Sequence, residues 1–411
     1  VTPASTRPTP TPAPRTHVGK VMVVLTARCN MACAYCYQGA KSARRMSWET
    51  LVPALDLAVA STQEHVEIVF YGGEPLLEFP LIRRAVEYTR GARPRGRTLS
   101  YGLITNGTLL RPEVVGFLAE HAIDTQWSMD GVREAQDVRG RGTFRVLDRR
   151  LDEIRRDYPL FLLRDVTVSI TVPAAGLPYL ADSFDYFVEK GIGRITVSPV
   201  FTHDPGWRKS SIRELRRQFA RILRASLAVH AETGSVPYLG FQGKAAEECE
   251  SMEGLAMCGV GRGDVLVVDA EGSAHGCATW IDSGTFEGDP SLRSGFEAAR
   301  LGLLTDPEFA RRYAAFPRRV RRMKIVNGKE NKYSSYGTCA ECRFLSSCSV
   351  CPTSIARIPG NRDPDRVPDF PCAFNLVALE ARERFLRRAR SQRPPKPALS
   401  LAFWTARPRP R

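Results

Sequence analysis

The chain has 411 residues, 43% of them hydrophobic, with a formal net charge of +15. That length and apolar content suffice for a large core divided over two domains, and no run approaches about 20 consecutive apolar residues, which excludes an α-helical membrane span. The positive charge admits a nucleic acid or an acidic peptide as partner. The arginines are spread, however, with local clusters at Arg149-Arg150, Arg216-Arg217 and Arg318-Arg319-Val320-Arg321-Arg322, and no RNA-binding motif accompanies them, so a solvated basic surface is the simplest reading.

Residues 1–19 are rich in Pro, Thr, Ala and Arg and read as a disordered arm rather than a secretion signal, because they contain no apolar run. The first residue is Val1, which implies a trimmed or processed chain. From 20 to 200 short apolar runs alternate with amphipathic segments. Strands are predicted near 20–26, 66–71, 98–104, 123–129, 165–172 and 193–199, and helices near 47–62, 79–90, 111–121, 143–157 and 178–190. Leu51, Leu55 and Val59 keep helical spacing behind a capping Ser47. Val166, Val168, Ile170 and Val172 alternate with Thr and Ser, as a strand does. Such alternation implies an α/β fold of parallel strands with right-handed crossovers. Its site lies at the C-terminal strand ends.

A helical bridge is expected over 201–248, with its helix near 210–233, and a cysteine-rich domain over 249–390. Within that domain 265–269 and 272–275 suggest a small hairpin, the 61 residues between Cys277 and Cys339 read as helix and loop, and a closing helix is expected over 375–388. Residues 391–411 form a second basic, Pro-rich tail, in which Leu399-Ser400-Leu401-Ala402-Phe403-Trp404 is apolar enough to dock.

Four motifs fall at the ends of the first four strands. Cys29, Cys33 and Cys36 follow the apolar run Val21–Leu25 in CxxxCxxC spacing. Three close thiolates can hold three irons of a cubane 4Fe–4S cluster, leaving the fourth iron open for chemistry. A structural zinc loop is the alternative, although zinc loops usually show CxxC pairs. The second strand runs into Gly72-Gly73-Glu74-Pro75. Two glycines let backbone approach a ligand closely and a carboxylate suits a cation, or the segment is simply a tight turn. Thr105-Asn106-Gly107 ends the third strand and Ser128-Met129-Asp130-Gly131 the fourth; Asn-Gly and Asp-Gly are also common turn formers.

This succession resembles the radical S-adenosylmethionine (SAM) superfamily. The resemblance implies an open (β/α)6 partial TIM-like barrel over 20–200 and a cluster on Cys29, Cys33 and Cys36 whose open iron is chelated by SAM. It further implies that Gly72, Gly73, Glu74 and Pro75 meet the SAM ammonium, with Asn106, Ser128 and Asp130 as partners of its ribose or carboxylate. Tyr35 and Tyr37 flank Cys36, with Tyr35 counted among the cofactor-binding residues.

After Cys36 no cysteine occurs until Cys249, followed by Cys258, Cys277, Cys339, Cys342, Cys348, Cys351 and Cys372. The spacing resembles the SPASM extension of radical SAM enzymes, which holds auxiliary clusters, with two residues between Cys348 and Cys351 where the family usually has three. By analogy one auxiliary 4Fe–4S cluster takes Cys249, Cys258, Cys277 and Cys351, and the other takes Cys339, Cys342, Cys348 and Cys372. Cys249 lies outside the seven-cysteine pattern, and a buried thiol that leaves one cluster with an open iron is its alternative reading. Zinc sites are the alternative for the rest.

Enzymes with both parts mostly modify peptides or proteins. Sulfatase-maturating enzymes carry an Asp directly after the cysteine matching Cys277, whereas here that position is Ala278. The expectation is therefore a cytoplasmic oxidoreductase of ribosomally made precursor peptides that installs an oxidative crosslink, served by SAM, three 4Fe–4S clusters and a one-electron donor such as flavodoxin or ferredoxin. Formylglycine-type oxidation of Ser or Cys is the alternative. An iron–sulfur electron carrier needs no glycine–Glu turn, and a zinc-stapled basic nucleic-acid-binding protein would show stacking motifs. For proton transfer the sequence offers His275 as a weak candidate, more simply read as a surface hairpin residue, and neither Asp269 nor Asp282 has a better claim.

Overall fold

Among the described residues nine strands form one sheet, in which the first strand lies between the second and the seventh. The computed structural model describes residues 16–38, 41–92, 96–200, 204–242, 263–281, 300–321, 329–351, 355 and 361–392. The expectations for most of the N-terminal arm, the tail, Asp282, Cys249 and Cys258 fall outside them.

The first six strands are β1 (Lys20–Thr26), β2 (His65–Gly72), β3 (Thr98–Thr105), β4 (Asp124–Ser128), β5 (Val166–Val172) and β6 (Ile195–Pro199). Each pairs in parallel with the next, giving the partial TIM-like α/β core. Between them run α1 (Trp48–Ala60), α2 (Phe79–Gly91), α3 (Pro112–Glu120), α4 (Arg133–Gly140), α5 (Phe144–Asp157), α6 (Pro159–Arg164) and α7 (Leu180–Glu189). Ser47 caps α1 as expected, accepting from the Thr50 N–H at 3.2 Å. The inward row Val166, Val168, Ile170 and Val172 of β5 is buried while its Thr and Ser neighbours are half-buried, as a period of two requires.

The sheet does not stop at the expected domain boundary. β7 (Val265–Val268) pairs in parallel with β1, Val21 opposite Leu266. β8 (Ser273–His275) and β9 (Arg300–Leu303) then continue the sheet in antiparallel fashion. The hairpin of the cysteine-rich half is thus an extension of the barrel wall, and β9 replaces part of what the sequence suggested as helix and loop. The rest of that segment includes α9 (Phe309–Arg321).

The helix of the bridge is α8 (Ile212–Thr233) and the closing helix is α10 (Asp369–Ser391). They pack through Phe219 and Phe374, whose ring centroids are 5.3 Å apart, and Trp207 stacks on Phe370 at 4.6 Å. Each buried Phe contributes about 1.5–3 kcal/mol relative to exposure. Because α10 starts earlier than expected, Cys372 lies in its first turn. A short ribbon, β10 (Tyr333–Ser334) with β11 (Gly337–Thr338), precedes Cys339.

Candidate functional site

The cysteine loop follows β1 and is fastened to the ends of three other strands. The Gly73 N–H donates to Thr26 O and the Glu74 N–H to Arg28 O, both at 2.8 Å, which binds the turn after β2 to the start of the loop. A Cβ at Gly72, where φ is +144°, would run into the Thr26 carbonyl, and one at Gly73 into that of Arg28. Only glycine permits this approach. At the end of β3, Asn106 Nδ2 donates to Asn30 Oδ1 at 2.9 Å. At the end of β4, the Tyr35 hydroxyl donates to Asp130 Oδ2. Cys29, Cys33, Cys36, Gly72–Pro75, Asn106, Tyr35 and Asp130 therefore share one mouth, with Ser128 half-buried at the close of β4.

The three thiols suit a shared soft-metal group. All are partly exposed and none forms a disulfide, and Cys36 N–H turns back to Cys33 O at 3.1 Å. Donors already face the sulfurs: the Met31 N–H reaches Cys29 Sγ at 3.4 Å, Asn106 Nδ2 reaches it at 3.8 Å, and Lys41 Nζ reaches Cys36 Sγ at 3.0 Å. Burial pushes the Cys33 pKa up, and the Arg139 guanidinium opposes that shift.

Two carboxylates expected to meet a cofactor are hydrogen-bonded within the protein. Glu74 is fully buried. Its Oε1 accepts from the Leu76 N–H at 3.0 Å and from Thr105 Oγ1 at 2.7 Å, and its Oε2 accepts from the Asn106 N–H at 2.8 Å. Burial raises its pKa to about 7 despite these three donors. Asp130 takes Arg139 Nη2 at 2.8 Å and the Thr171 N–H at 2.9 Å on Oδ1, besides Tyr35 on Oδ2. Both side chains hold the strand ends in register around the mouth.

Beside Cys36 lies a pocket lined by Tyr37, Gln38, Tyr71, Asp269, Ala278 and Ile281, among others. The Tyr37 and Tyr71 hydroxyls hydrogen-bond to each other, and Gln38 Nε2 donates to Gly72 O at 2.8 Å. Its lining carboxylates are engaged: Asp269 accepts from the Glu271 and Ser273 N–H groups and pairs with His275 Nε2 at 3.1 Å, and Glu271 pairs with Arg44 at 3.2 Å. His275 is 4% exposed, which corrects the expectation of a surface histidine: β8 is covered on both sides. The Tyr37–Tyr71 pair was missed by the sequence reading; Tyr71 carried a signal only in directly preceding Gly72-Gly73.

In the C-terminal half Cys339, Cys342, Cys348 and Cys372 converge. Burial and, behind it, the neighbouring Cys372, Cys348 and Cys342 push the Cys339 pKa up to about 11, while Lys332 opposes the shift. Ser334 Oγ donates to Cys372 Sγ at 3.1 Å. Lys332, 2% exposed in its side chain, pairs with Asp365 at 3.2 Å. Of the other expected set, Cys277 opens the turn Ala278–Trp280, and Cys351 lines a groove between β6 and α10. Among the described residues no three His, Cys, Asp or Glu side chains close on a single-ion site. A cubane spreads its irons over separate corners, so its ligands need not close so tightly.

Residues 23–159 match the family model of the radical SAM superfamily. An uncharacterized protein of Methanocaldococcus jannaschii is 29% identical over 178 residues, 43% of this chain and 60% of its own length. A serine-type anaerobic sulfatase-maturating enzyme of Klebsiella aerogenes is 26% identical over 192 residues, 44% of this chain and 46% of its own. The chain thus aligns over less than two-thirds of either relative. Among solved structures, native anSMEcpe with bound AdoMet and Kp18Cys peptide has a TM-score of 0.68 at 18% identity, covering 90% of this chain and 99% of that one. Streptococcus suis SuiB bound to its precursor peptide SuiA has a TM-score of 0.54 at 14% identity, covering 87% and 76%. These likenesses establish the fold.

Proposed function

From a chain whose residues 23–159 are a radical SAM domain, we propose an enzyme that oxidises a peptide substrate by removing two hydrogens and closing a crosslink between side chains or onto an α carbon. In this reading Cys29, Cys33 and Cys36 hold a 4Fe–4S cluster, and SAM occupies the mouth lined by the backbone of Gly72–Pro75, Asn106 and Ser128. Reductive cleavage of SAM at such a cluster supplies the radical that takes a substrate hydrogen, with the electron delivered by a flavodoxin- or ferredoxin-like donor. The chain's own part is to hold the mouth rigid through Glu74 and Asp130, and to seat the substrate residue against Tyr37, Gln38 and Tyr71. Cys339, Cys342, Cys348 and Cys372 hold one auxiliary cluster, and Cys277 and Cys351, with Cys249 and Cys258, hold a second. A group held there would supply an acceptor for the electron left after ring closure, the second hydrogen leaving as a proton.

The observation that carries the crosslinking reading is Ala278. It lines the pocket beside the Tyr37–Tyr71 pair where sulfatase-maturating enzymes are expected to place a carboxylate base, and the pocket's two lining carboxylates, Asp269 and Glu271, are held by His275 and Arg44. Oxidation of Ser or Cys to an aldehyde is the second reading, supported by the similarity to the Klebsiella aerogenes enzyme. The anaerobically reconstituted chain, incubated with SAM, a reductant and candidate peptides, separates them. A product lighter by two hydrogens and inert to hydrazide reagents supports crosslinking. A hydrazide-reactive product supports aldehyde formation and overturns the first reading.

A further inference from the structure

α4 presents no apolar stripe, yet Ala135, Gln136 and Arg139 are its buried positions. Arg139 is the most unusual of them, since its side chain is 8% exposed and burying a charge is costly unless it is paired and hydrogen-bonded. Its Nη2 donates to Asp130 Oδ1 at 2.8 Å and to Thr171 Oγ1 at 3.2 Å. The guanidinium carbon lies 5.3 Å from the centre of the Tyr35 ring, and the Tyr35 hydroxyl donates a hydrogen bond to the other oxygen of Asp130. One helical residue further on, Gly140 lies against the cysteine loop, with Met31 Cε 2.7 Å from where a Cβ would stand. Gln136 completes the arrangement by accepting from the Asp130 N–H at 2.9 Å and donating to Thr143 at 3.0 Å. The helix therefore grips the cysteine loop at Met31 and Tyr35, on either side of Cys33, and ties it to the ends of β4 and β5.

We infer that Arg139 is a positioning residue for the cluster on Cys29, Cys33 and Cys36, holding the loop through Tyr35 and Asp130 and placing a fixed positive charge beside it that favours the reduced state. The inference rests on the reading that these thiols hold a cluster. In a partly desolvated site a unit charge a few ångströms away is weakly screened, and reduction adds one negative charge to the cluster. The paired Asp130, which accepts from Tyr35 of the same loop, carries the opposite charge, so Arg139 and Asp130 pull the reduction potential in opposite directions. A purely structural pair has no such sign.

The test is an EPR-monitored redox titration of the full, anaerobically reconstituted chain, following the signal that changes when SAM is added, in wild type, Arg139→Gln, Arg139→Lys and Asp130→Asn. Arg139→Gln is expected to move the midpoint to more negative potential, Asp130→Asn to more positive potential, and Arg139→Lys to stay near wild type. Equal shifts in Arg139→Gln and Asp130→Asn, or none in either, overturn the inference. If Arg139→Gln holds no iron at the first site while its circular dichroism matches wild type, the loop-holding role is supported and the charge role is decided by Asp130→Asn against Arg139→Lys. If Arg139→Gln does not fold, those same two variants decide both. A wild-type chain that shows no SAM-responsive signal contradicts the underlying functional reading instead, so the two failures are distinct.

Discussion

Glu74 accepts the backbone N–H of Asn106 at 2.8 Å, and this bond fastens the glycine turn after β2 to the end of β3 directly beneath the cysteine loop. A motif whose carboxylate suggests a ligand contact thus has a prior duty inside the protein. With Oε1 also filled by Leu76 N–H and Thr105, Glu74 sets the shape of the mouth, and the backbone around it is what faces outward.

That burial predicts a pH dependence. The folded-state pKa of Glu74 is raised from 4.5 to about 7 by burial, so the folded state binds its proton more tightly than the unfolded state. The stability from this linkage is fully present below about pH 4.5 and is lost as pH rises through about 7, amounting to roughly 3 kcal/mol. Thermal unfolding of wild type and Glu74→Gln between pH 4.5 and 8 checks it. The stability difference between the two should narrow as pH rises, whatever fixed cost the amide adds by losing the Asn106 bond. A difference independent of pH contradicts the account.

Gly73→Ala places a methyl group against the Arg28 carbonyl, which no side-chain rotation relieves. We expect a destabilisation of about 1–3 kcal/mol and displacement of the loop that carries Cys29. Iron analysis after reconstitution should show loss at the first site with the C-terminal complement kept.

Lys332→Met removes a buried donor from Asp365 and Pro364 O beside Cys339. The expected cost is about 2 kcal/mol, with iron lost from the C-terminal thiols and SAM cleavage at the first site retained. Chemical denaturation and metal analysis measure the two effects separately.

Ala278→Asp introduces a carboxylate among Tyr37, Tyr71 and Ile281. The crosslinking reading predicts a fall in peptide product while SAM cleavage in the absence of peptide continues. Comparing 5′-deoxyadenosine with modified peptide in one reaction reads both. A rise in peptide product would favour the aldehyde-forming chemistry.

Much of the barrel was legible in the sequence because β1–β6 carry local signals. The β5 alternation and the Ser47 cap each report their own element, and the predicted strand limits lie within about two residues of those found. α4 was missed because its buried face is Ala135, Gln136 and Arg139, which apolar periodicity does not register. The pairing of β7 with β1 was missed because it joins segments more than two hundred residues apart in the chain, and strand pattern alone does not name a partner. Cysteine spacing located the thiols but not the inward turn of Glu74 and Asp130. An acidic residue at a strand end looks the same in sequence whether it faces a ligand or three backbone and hydroxyl donors. The partnership of Tyr37 with Tyr71 depends on the cysteine loop meeting the end of β2, which flanking Cys36 does not reveal.

The most direct measurement is iron, labile sulfide, zinc and 5′-deoxyadenosine on one anaerobically reconstituted preparation of the full chain, beside a variant with Cys29, Cys33 and Cys36 all changed to Ala. The account predicts about twelve irons per chain with matching sulfide, SAM-derived 5′-deoxyadenosine from wild type, and neither the first four irons nor that product from the variant. Stoichiometric zinc with little iron, or full iron loading with no SAM cleavage, would contradict it.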